Sequence, residues 1–135
     1  MAAAVVTNYG IAEIPDNTPP TSPEYINGPR YVKKDEQQSY ETKGSDSDGD
    51  TVYYMFDWGD GTHSKWLGPY ASEEICSTTK TWNEQGDYIV KVKAKDDSGI
   101  QSSWTKISMK VEKNVFETFI QKIFHLLPFL RSYYS

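Results

Sequence analysis

The chain has 135 residues and carries 14 Lys and Arg against 19 Asp and Glu, a formal net charge of −5. This acidic balance excludes nucleic acid as an expected partner, because a phosphate-binding surface needs clustered Lys and Arg. The sequence has no apolar run of about 18 residues, so no transmembrane segment is predicted. Aromatic residues make up 14% of the chain and compensate for a hydrophobic content of 37%. One soluble domain with a short appendage is therefore expected.

Residues 1–23 are interpreted as an extended segment followed by a proline-rich linker. The segment has strand-like character, with Val5, Val6 and Ile11 as its apolar positions. Prolines cannot donate to a sheet ladder and favour extended geometry, which is typical of a linker. We consider the segment a candidate assembly element, because it could add a strand to the open edge of a neighbouring sandwich. No leader peptide is visible in this chain, since its start lacks a basic region.

Residues 24–112 alternate in short segments separated by turn residues, which predicts an all-β sandwich of about seven antiparallel strands. The clearest strand is Tyr88–Lys95, which is apolar on one face and bears lysines on the other. Residues 52–58 are aromatic on both faces, so this strand is expected inside its sheet. Further strands are predicted at 30–34, 38–43, 64–67, 75–82 and 105–111, and the expected core aromatics are Tyr54, Phe56, Trp58 and Trp82.

Residues 113–135 are predicted to form a short amphipathic helix and tail. Asn114 is a suitable N-cap, with Glu117 three positions later, and Pro128 ends the helix. Apolar side chains recur at helical spacing and are candidates for assembly, with Phe116, Phe119, Ile120, Ile123 and Leu127 among them. Three places remain open for this face: its own domain, a second copy of the chain, or a membrane interface that suits its basic flanks.

Four motifs occur in an order and spacing that resemble the PKD domain family: Asp46-Ser-Asp-Gly-Asp50, Tyr54-Met-Phe-Asp-Trp-Gly-Asp-Gly-Thr62, Gly86-Asp-Tyr88 and Val92-Lys-Ala-Lys-Asp96. The resemblance covers roughly residues 24–112. It implies an Ig-like β-sandwich of the type found in archaeal and bacterial surface and secreted proteins. It also implies an extracellular or cell-surface location and a non-catalytic role as a spacer or binding module. We interpret the domain as a structural spacer, adhesion or protein-assembly module, with protein partners or with self-association through the N-terminal strand or the tail helix.

Five aspartates are predicted to converge at one end of the sandwich: Asp46, Asp48, Asp50, Asp96 and Asp97. In a sandwich of this strand order, the loop of residues 45–50 and the loop of residues 96–99 lie at the same end. Carboxylates so close together repel one another unless a cation neutralises them, and a cage of oxygen atoms suits Ca²⁺. The other interpretation makes these aspartates turn formers that bond their own backbone. Ca²⁺ is the one cofactor for which the sequence offers ligands.

Trp66, Tyr70 and Trp104 are the candidate ligand-binding aromatics. They could stack on sugar rings as in carbohydrate-binding modules, which gives the alternative function of polysaccharide binding, or they could pack against the tail helix or a neighbouring domain. No catalytic residue is assigned, because the chain has one cysteine and two distant histidines. Asp57 and Asp60 flank a glycine turn and are expected to bond loop amides rather than act as an acid–base pair.

Overall fold

The computed structural model describes residues 16–134, in which seven strands form two facing β-sheets. The larger sheet has the order β1-β7-β6-β3-β4, and the smaller sheet pairs β2 with β5. The predicted Ig-like β-sandwich is therefore confirmed. The strands are β1 (Tyr31–Lys33), β2 (Gln38–Thr42), β3 (Val52–Asp57), β4 (Leu67–Tyr70), β5 (Cys76–Lys80), β6 (Gly86–Asp96) and β7 (Thr105–Glu112).

One pairing departs from the antiparallel pattern that the sequence predicts: β1 runs parallel to β7, with Tyr31 opposite Lys110. The cause lies in the path of the incoming chain. It first runs antiparallel to β2, where Asn27 bridges Glu41, and then crosses to the edge of the larger sheet. There it lies beside β7 and points in the same direction. The first and last strands of the sandwich are therefore direct neighbours.

The core lies between the two sheets and is rich in aromatic rings. Along β3 every second side chain is fully buried, and the strand lies inside its sheet, between β6 and β4. The Trp82 ring meets the Trp58 ring edge-on, with 5.8 Å between their centroids, and lies 5.7 Å from the Tyr40 ring. All four of the aromatic residues predicted for the core are buried. Tyr88 donates its hydroxyl hydrogen to the Glu84 carbonyl at 2.8 Å, the hydrogen bond that defines a tyrosine corner.

The predicted strand at residues 64–67 is displaced, since β4 covers Leu67–Tyr70. Ser64 forms two hydrogen bonds with Phe56 instead. Its amide donates to the Phe56 carbonyl, and its hydroxyl accepts from the Phe56 amide. Pro69 argues against a strand when the sequence is considered alone. It is tolerated here because β4 lies at the edge of the sheet, where a missing N–H breaks no ladder.

The long strand β6 defines the two ends of the sandwich. Its 11 residues run from Gly86 to Asp96, and the first and last Cα atoms are roughly 33 Å apart at a rise of about 3.3 Å per residue. The aspartate end, as we call it, holds Asp96 and the loop of residues 45–50. The opposite end holds Gly86, which pairs with Val111 near the end of β7. We call this second end the helix end, because the tail helix begins there.

The tail forms helix α1 (Val115–Leu126), a 3₁₀ turn (Pro128–Leu130) and a short helix α2 (Arg131–Tyr134). Asn114 caps α1 as predicted, since its side chain accepts a hydrogen bond from the Phe116 amide at 2.9 Å. Glu117 does not reach back to the cap but forms an ion pair with Lys34 at 3.4 Å. Within residues 16–134, no helix has the length and apolar character needed to cross a bilayer.

Candidate metal centre and the outer face of the larger sheet

Three carboxylates meet at the aspartate end. Asp46 and Asp50 come from the loop between β2 and β3, and Asp96 is the last residue of β6. One oxygen atom from each of them lies within 4.8 Å of the other two. Asp46 is 5% exposed and Asp96 is 1% exposed, so two of the three charges are withdrawn from water. Burial of this kind is costly for a carboxylate unless it is paired or binds a metal.

The hydrogen bonds around these carboxylates leave one buried oxygen atom without a partner. Asp96 accepts from the Ile100 amide at 2.9 Å and from the Asn17 side chain at 2.8 Å. Asp46 Oδ1 accepts from the Asp48 amide at 2.8 Å. Among the described residues, nothing donates to Asp46 Oδ2, although that atom is buried. Buried polar atoms almost always have a partner, so this oxygen indicates a position for a cation or a water molecule.

The electrostatics of the cluster favour a cation. Desolvation and the nearby carboxylates, Asp46 first among them, raise the pKa of Asp50 above its ordinary value. A raised pKa means that the charged form is disfavoured here, which is the expected result of like charges held together. The available ligand atoms are all carboxylate oxygens, the chemistry that Ca²⁺ prefers. These residues therefore fit a hard divalent cation.

The other two predicted ligands bond neighbouring residues instead. Asp48 accepts from the Thr18 amide at 2.8 Å and from the Thr18 hydroxyl at 2.6 Å, and these hydrogen bonds lower the pKa of its carboxyl group. Asp97 accepts a hydrogen bond from the Thr51 hydroxyl. The structure thus brings together three of the five aspartates, while Asp48 and Asp97 accept hydrogen bonds from Thr18 and Thr51.

Sequence reasoning missed Asn17 and Thr18, which fix the incoming chain to this end of the sandwich. The proline-rich composition indicates an extended linker. The chain is indeed extended, but it is also attached, since the Thr21 amide donates to the Ser45 carbonyl at 2.8 Å. The signal that could have found these residues is slight: two side chains with hydrogen-bonding groups directly before a pair of prolines.

Trp66 and Trp104 lie together on the outer face of the larger sheet, over the lysines of β6. The Lys93 ammonium is 5.7 Å from the Trp66 ring centroid and 4.6 Å from that of Trp104. Lys95 approaches Trp66 to 4.5 Å, and Lys91 approaches Trp104 to 4.9 Å. The lysines that the sequence places on a wet face thus form a ladder of cation–π contacts with two indoles.

Tyr70 does not belong to this surface. It pairs with Val52 across the β3–β4 ladder, and its ring lies 5.9 Å from the ring of Tyr54 in the core. Burial raises the pKa of the Cys76 thiol, and a hydrogen bond with Cys76, followed by desolvation, raises the pKa of Tyr70. Of the three candidate ligand-binding aromatics, only Trp66 and Trp104 share a face.

The predicted assembly residues fall into two groups. Val5, Val6 and Ile11 lie outside the described residues. In the tail, Phe116 and Phe119 are more than half exposed, Leu127 is 44% exposed, and Ile120 and Ile123 are partly exposed. No residue of α1 is buried, so its apolar face is not docked on its own domain.

The glycine turn after β3 has the structural role that the sequence predicts. Asp57 accepts from the Gly59 amide at 3.0 Å, and Asp60 accepts from the Thr62 amide at 3.0 Å. Gly59 has a φ of 79°, and a Cβ at this position would lie 2.5 Å from the Ile89 carbonyl oxygen. Only glycine fits here. Lys91 pairs with Asp57 at 3.1 Å, and Lys80 pairs with Asp60 at 2.6 Å.

Comparison with known proteins agrees with this architecture. Residues 17–111 match the PKD domain family. The chain belongs to the PKD domain family. A solved PKD domain of an M14-like peptidase from a Thermoplasmatales archaeon is 36% identical, with a TM-score of 0.69, and the match covers 73% of this chain and 100% of that one.

Two further proteins are similar to this chain. Collagenase ColA of Bacillus cereus is 28% identical over 106 residues, which is 77% of this chain and 10% of the collagenase. A structure of carbohydrate-binding modules from the β-sandwich superfamily is 26% identical, with a TM-score of 0.56, over 73% of this chain and 36% of that one. This PKD domain therefore spans only a tenth of the collagenase that it resembles. It is an accessory, non-catalytic module of a kind that peptidases carry.

Proposed function

We propose that this PKD domain is an in-line spacer and assembly module of a larger extracellular or cell-surface protein. One observation carries the proposal: the chain arrives at one end of the sandwich and leaves at the other. Thr18 is bonded to Asp48 at the aspartate end. The last strand finishes beside Gly86 at the helix end. A domain joined in this way separates the units on either side of it by roughly the length of β6, about 33 Å.

The aspartate cluster is proposed to hold Ca²⁺ through Asp46, Asp50 and Asp96. The support for this is the buried Asp46 oxygen, to which no described residue donates, together with the desolvation and like-charge repulsion that raise the pKa of Asp50. Asp96 also binds the Asn17 side chain, so the cation would neutralise the same carboxylate that secures the incoming chain. Binding would therefore stiffen the junction with whatever precedes the domain.

The distance between the two ends tests the spacer role. Spin labels on Ser22→Cys and Lys113→Cys are expected to give one narrow distance distribution centred at about 30 Å. Both introduced thiols are exposed, whereas Cys76 is fully buried and reacts slowly. A short distance, or a broad distribution in the presence of Ca²⁺, would show that the two attachment points do not form a defined span.

Polysaccharide binding is the second candidate function, favoured by the placement of Trp66 and Trp104 on one face with Lys93 between them. Indoles supply stacking surface, and ammonium groups attract carboxylated sugars, so an acidic polysaccharide fits this face better than a neutral one. Retention on an alginate affinity gel is expected to fall at least tenfold in Trp104→Ala and to remain in Tyr31→Ala, an exposed aromatic away from the indoles. Equal retention of the two variants would show that the indole face does not bind the polysaccharide.

A further inference from the structure

The tail helix turns its polar side toward the sandwich. Glu117 pairs with Lys34 at 3.4 Å, and a groove separates the helix from the loop between β5 and β6. Gln121 and His125 line the helix side of this groove, and Asn83 lines the domain side. The orientation is opposite to that of a helix docked on its own core. The apolar side of α1 consequently faces away from the domain.

The apolar side is unusually wide for so short a helix. At about 100° per residue, the apolar side chains of α1 and its C-cap cover an arc of roughly 180°. The remaining arc is occupied by Glu117, Thr118, Gln121, Lys122 and His125. The apolar arc consists of Val115, Phe116, Phe119, Ile120, Ile123, Phe124, Leu126 and Leu127. The exposed apolar surface continues beyond α1, since Phe129 is 67% exposed and Tyr133 is 79% exposed.

A second copy of the chain would cover this surface poorly. The 12 residues of α1 extend about 18 Å, and a helix pair buries only a narrow seam of each partner. The area per partner is on the order of a few hundred Å², below the roughly 800 Å² of a stable interface. Half of the apolar arc would stay in water. A planar apolar medium, in contrast, covers the whole arc at once.

The charges around the apolar face suit anionic lipid headgroups. Lys113 lies before α1 and Lys122 lies on it, while Arg131 follows it with its guanidinium 5.5 Å from the Phe124 ring centroid. Glu117, the one acidic residue of α1, is already paired with Lys34. The aspartate cluster lies about 33 Å away, several times the roughly 8 Å Debye length of physiological salt, so its repulsion is screened.

We propose that α1 and the turn after it form an interfacial anchor that lies in the plane of an anionic lipid surface. The apolar arc enters the boundary between headgroups and acyl chains, and the basic residues contact the phosphates. Because the anchor is at the helix end, the sandwich stands on the surface and holds its aspartate end away from it. This proposal goes beyond the spacer role and can fail without affecting it.

Flotation of the full chain with lipid vesicles tests the anchor. With vesicles of phosphatidylcholine and phosphatidylglycerol at 7:3, the unmodified chain is expected to float. Ile123→Ser is expected to lower the partition coefficient at least tenfold, because the variant loses an apolar side chain that the lipid would bury. Gln121→Ser, on the polar arc of the same helix, is expected to change it less than twofold. Both variants should melt like the unmodified chain, since α1 contributes no buried residue to the domain.

Three outcomes would overturn the anchor. The first is no flotation at millimolar lipid, and the second is the same partition coefficient for both variants. The third is a dimer, detected by light scattering and lost in Ile123→Ser, in a chain that does not bind vesicles. Vesicles of phosphatidylcholine alone measure the contribution of charge. Weaker flotation with these vesicles supports contacts between the basic residues and the phosphates. Equal flotation contradicts the anionic preference.

Discussion

Calcium at about one hundred times its dissociation constant is expected to raise the free energy of unfolding by about 2.7 kcal/mol, because it binds the native state alone. For a sandwich of this size, that gain corresponds to a rise of roughly 10 °C in melting temperature. The source is the relief of repulsion among Asp46, Asp50 and Asp96, together with a partner for the buried Asp46 oxygen. Thermal melting in Ca²⁺ and in EGTA measures the difference.

Asp50→Asn gives the sharpest version of this test. In EGTA the variant is expected to melt at the same temperature as the unmodified domain or slightly higher, because one repelling charge is removed. In Ca²⁺ it is expected to lose most of the shift. Asp87→Asn is the matched control, since Asp87 is an exposed aspartate at the opposite end of β6 and should keep the full shift. If the Ca²⁺-induced shift in melting temperature were unchanged in Asp50→Asn, this cluster would not be the Ca²⁺ site.

The calcium effect should also depend on pH. Since desolvation and the neighbouring carboxylates raise the pKa of Asp50 in the folded domain, protonation stabilises the Ca²⁺-free native state relative to the unfolded chain. Ca²⁺-free stability is therefore lost as pH rises through that pKa, and Ca²⁺ restores it. Protons compete for the same oxygen atoms at low pH. The melting shift is expected to be full at pH 7 and to shrink as pH falls through the raised pKa of Asp50.

Trp82→Ala is expected to lower the free energy of unfolding by about 3–5 kcal/mol, the usual cost of truncating a buried large aromatic residue. Trp82 is 1% exposed, meets the rings of Trp58 and Tyr40, and donates its indole hydrogen to the Trp58 carbonyl at 3.3 Å. Its removal leaves a cavity between the two sheets. Urea unfolding of the purified domain measures the loss.

Trp104→Ala is the control for that measurement. Trp104 lies on the outer face, where it contacts Lys91 and Lys93 and stays partly exposed. Loss of these contacts is expected to cost about 1 kcal/mol. If the two variants were destabilised equally, the assignment of Trp82 to the interior and Trp104 to the surface would be wrong.

The fold was predictable because its strongest signals are local. Alternation in residues 52–58 and 88–95 requires one buried face on each strand, and the glycine turn after β3 requires positive φ. Asn114 and Pro128 likewise define the tail helix through local chemistry. The parallel pairing of β1 with β7 depends instead on how the incoming chain crosses between sheets, and no local pattern in residues 30–34 encodes that path.

The candidate site was predictable only in outline. Loop order places the five aspartates at one end, but the hydrogen-bond partners of each one decide which of them meet. Asp48 is drawn away by Thr18, a residue of the supposed linker, and Asp97 by Thr51. In the same way, alternation places the lysines of β6 on the outer face, but it cannot show that Trp66 and Trp104, distant in sequence, fold over Lys93. These contacts depend on tertiary placement.

The spacer role rests on force entering at one end of the sandwich and leaving at the other, and single-molecule pulling measures this most directly. Pulling through Ser22→Cys and Lys113→Cys shears β1 against β7, because the two strands are parallel and their hydrogen bonds are loaded together. Pulling through Gln85→Cys and Lys113→Cys, at the same end of the antiparallel pair β6 and β7, separates that pair one bond at a time. The first geometry is expected to rupture at clearly higher force, in a single step. Equal or lower force in the first geometry would contradict the in-line spacer.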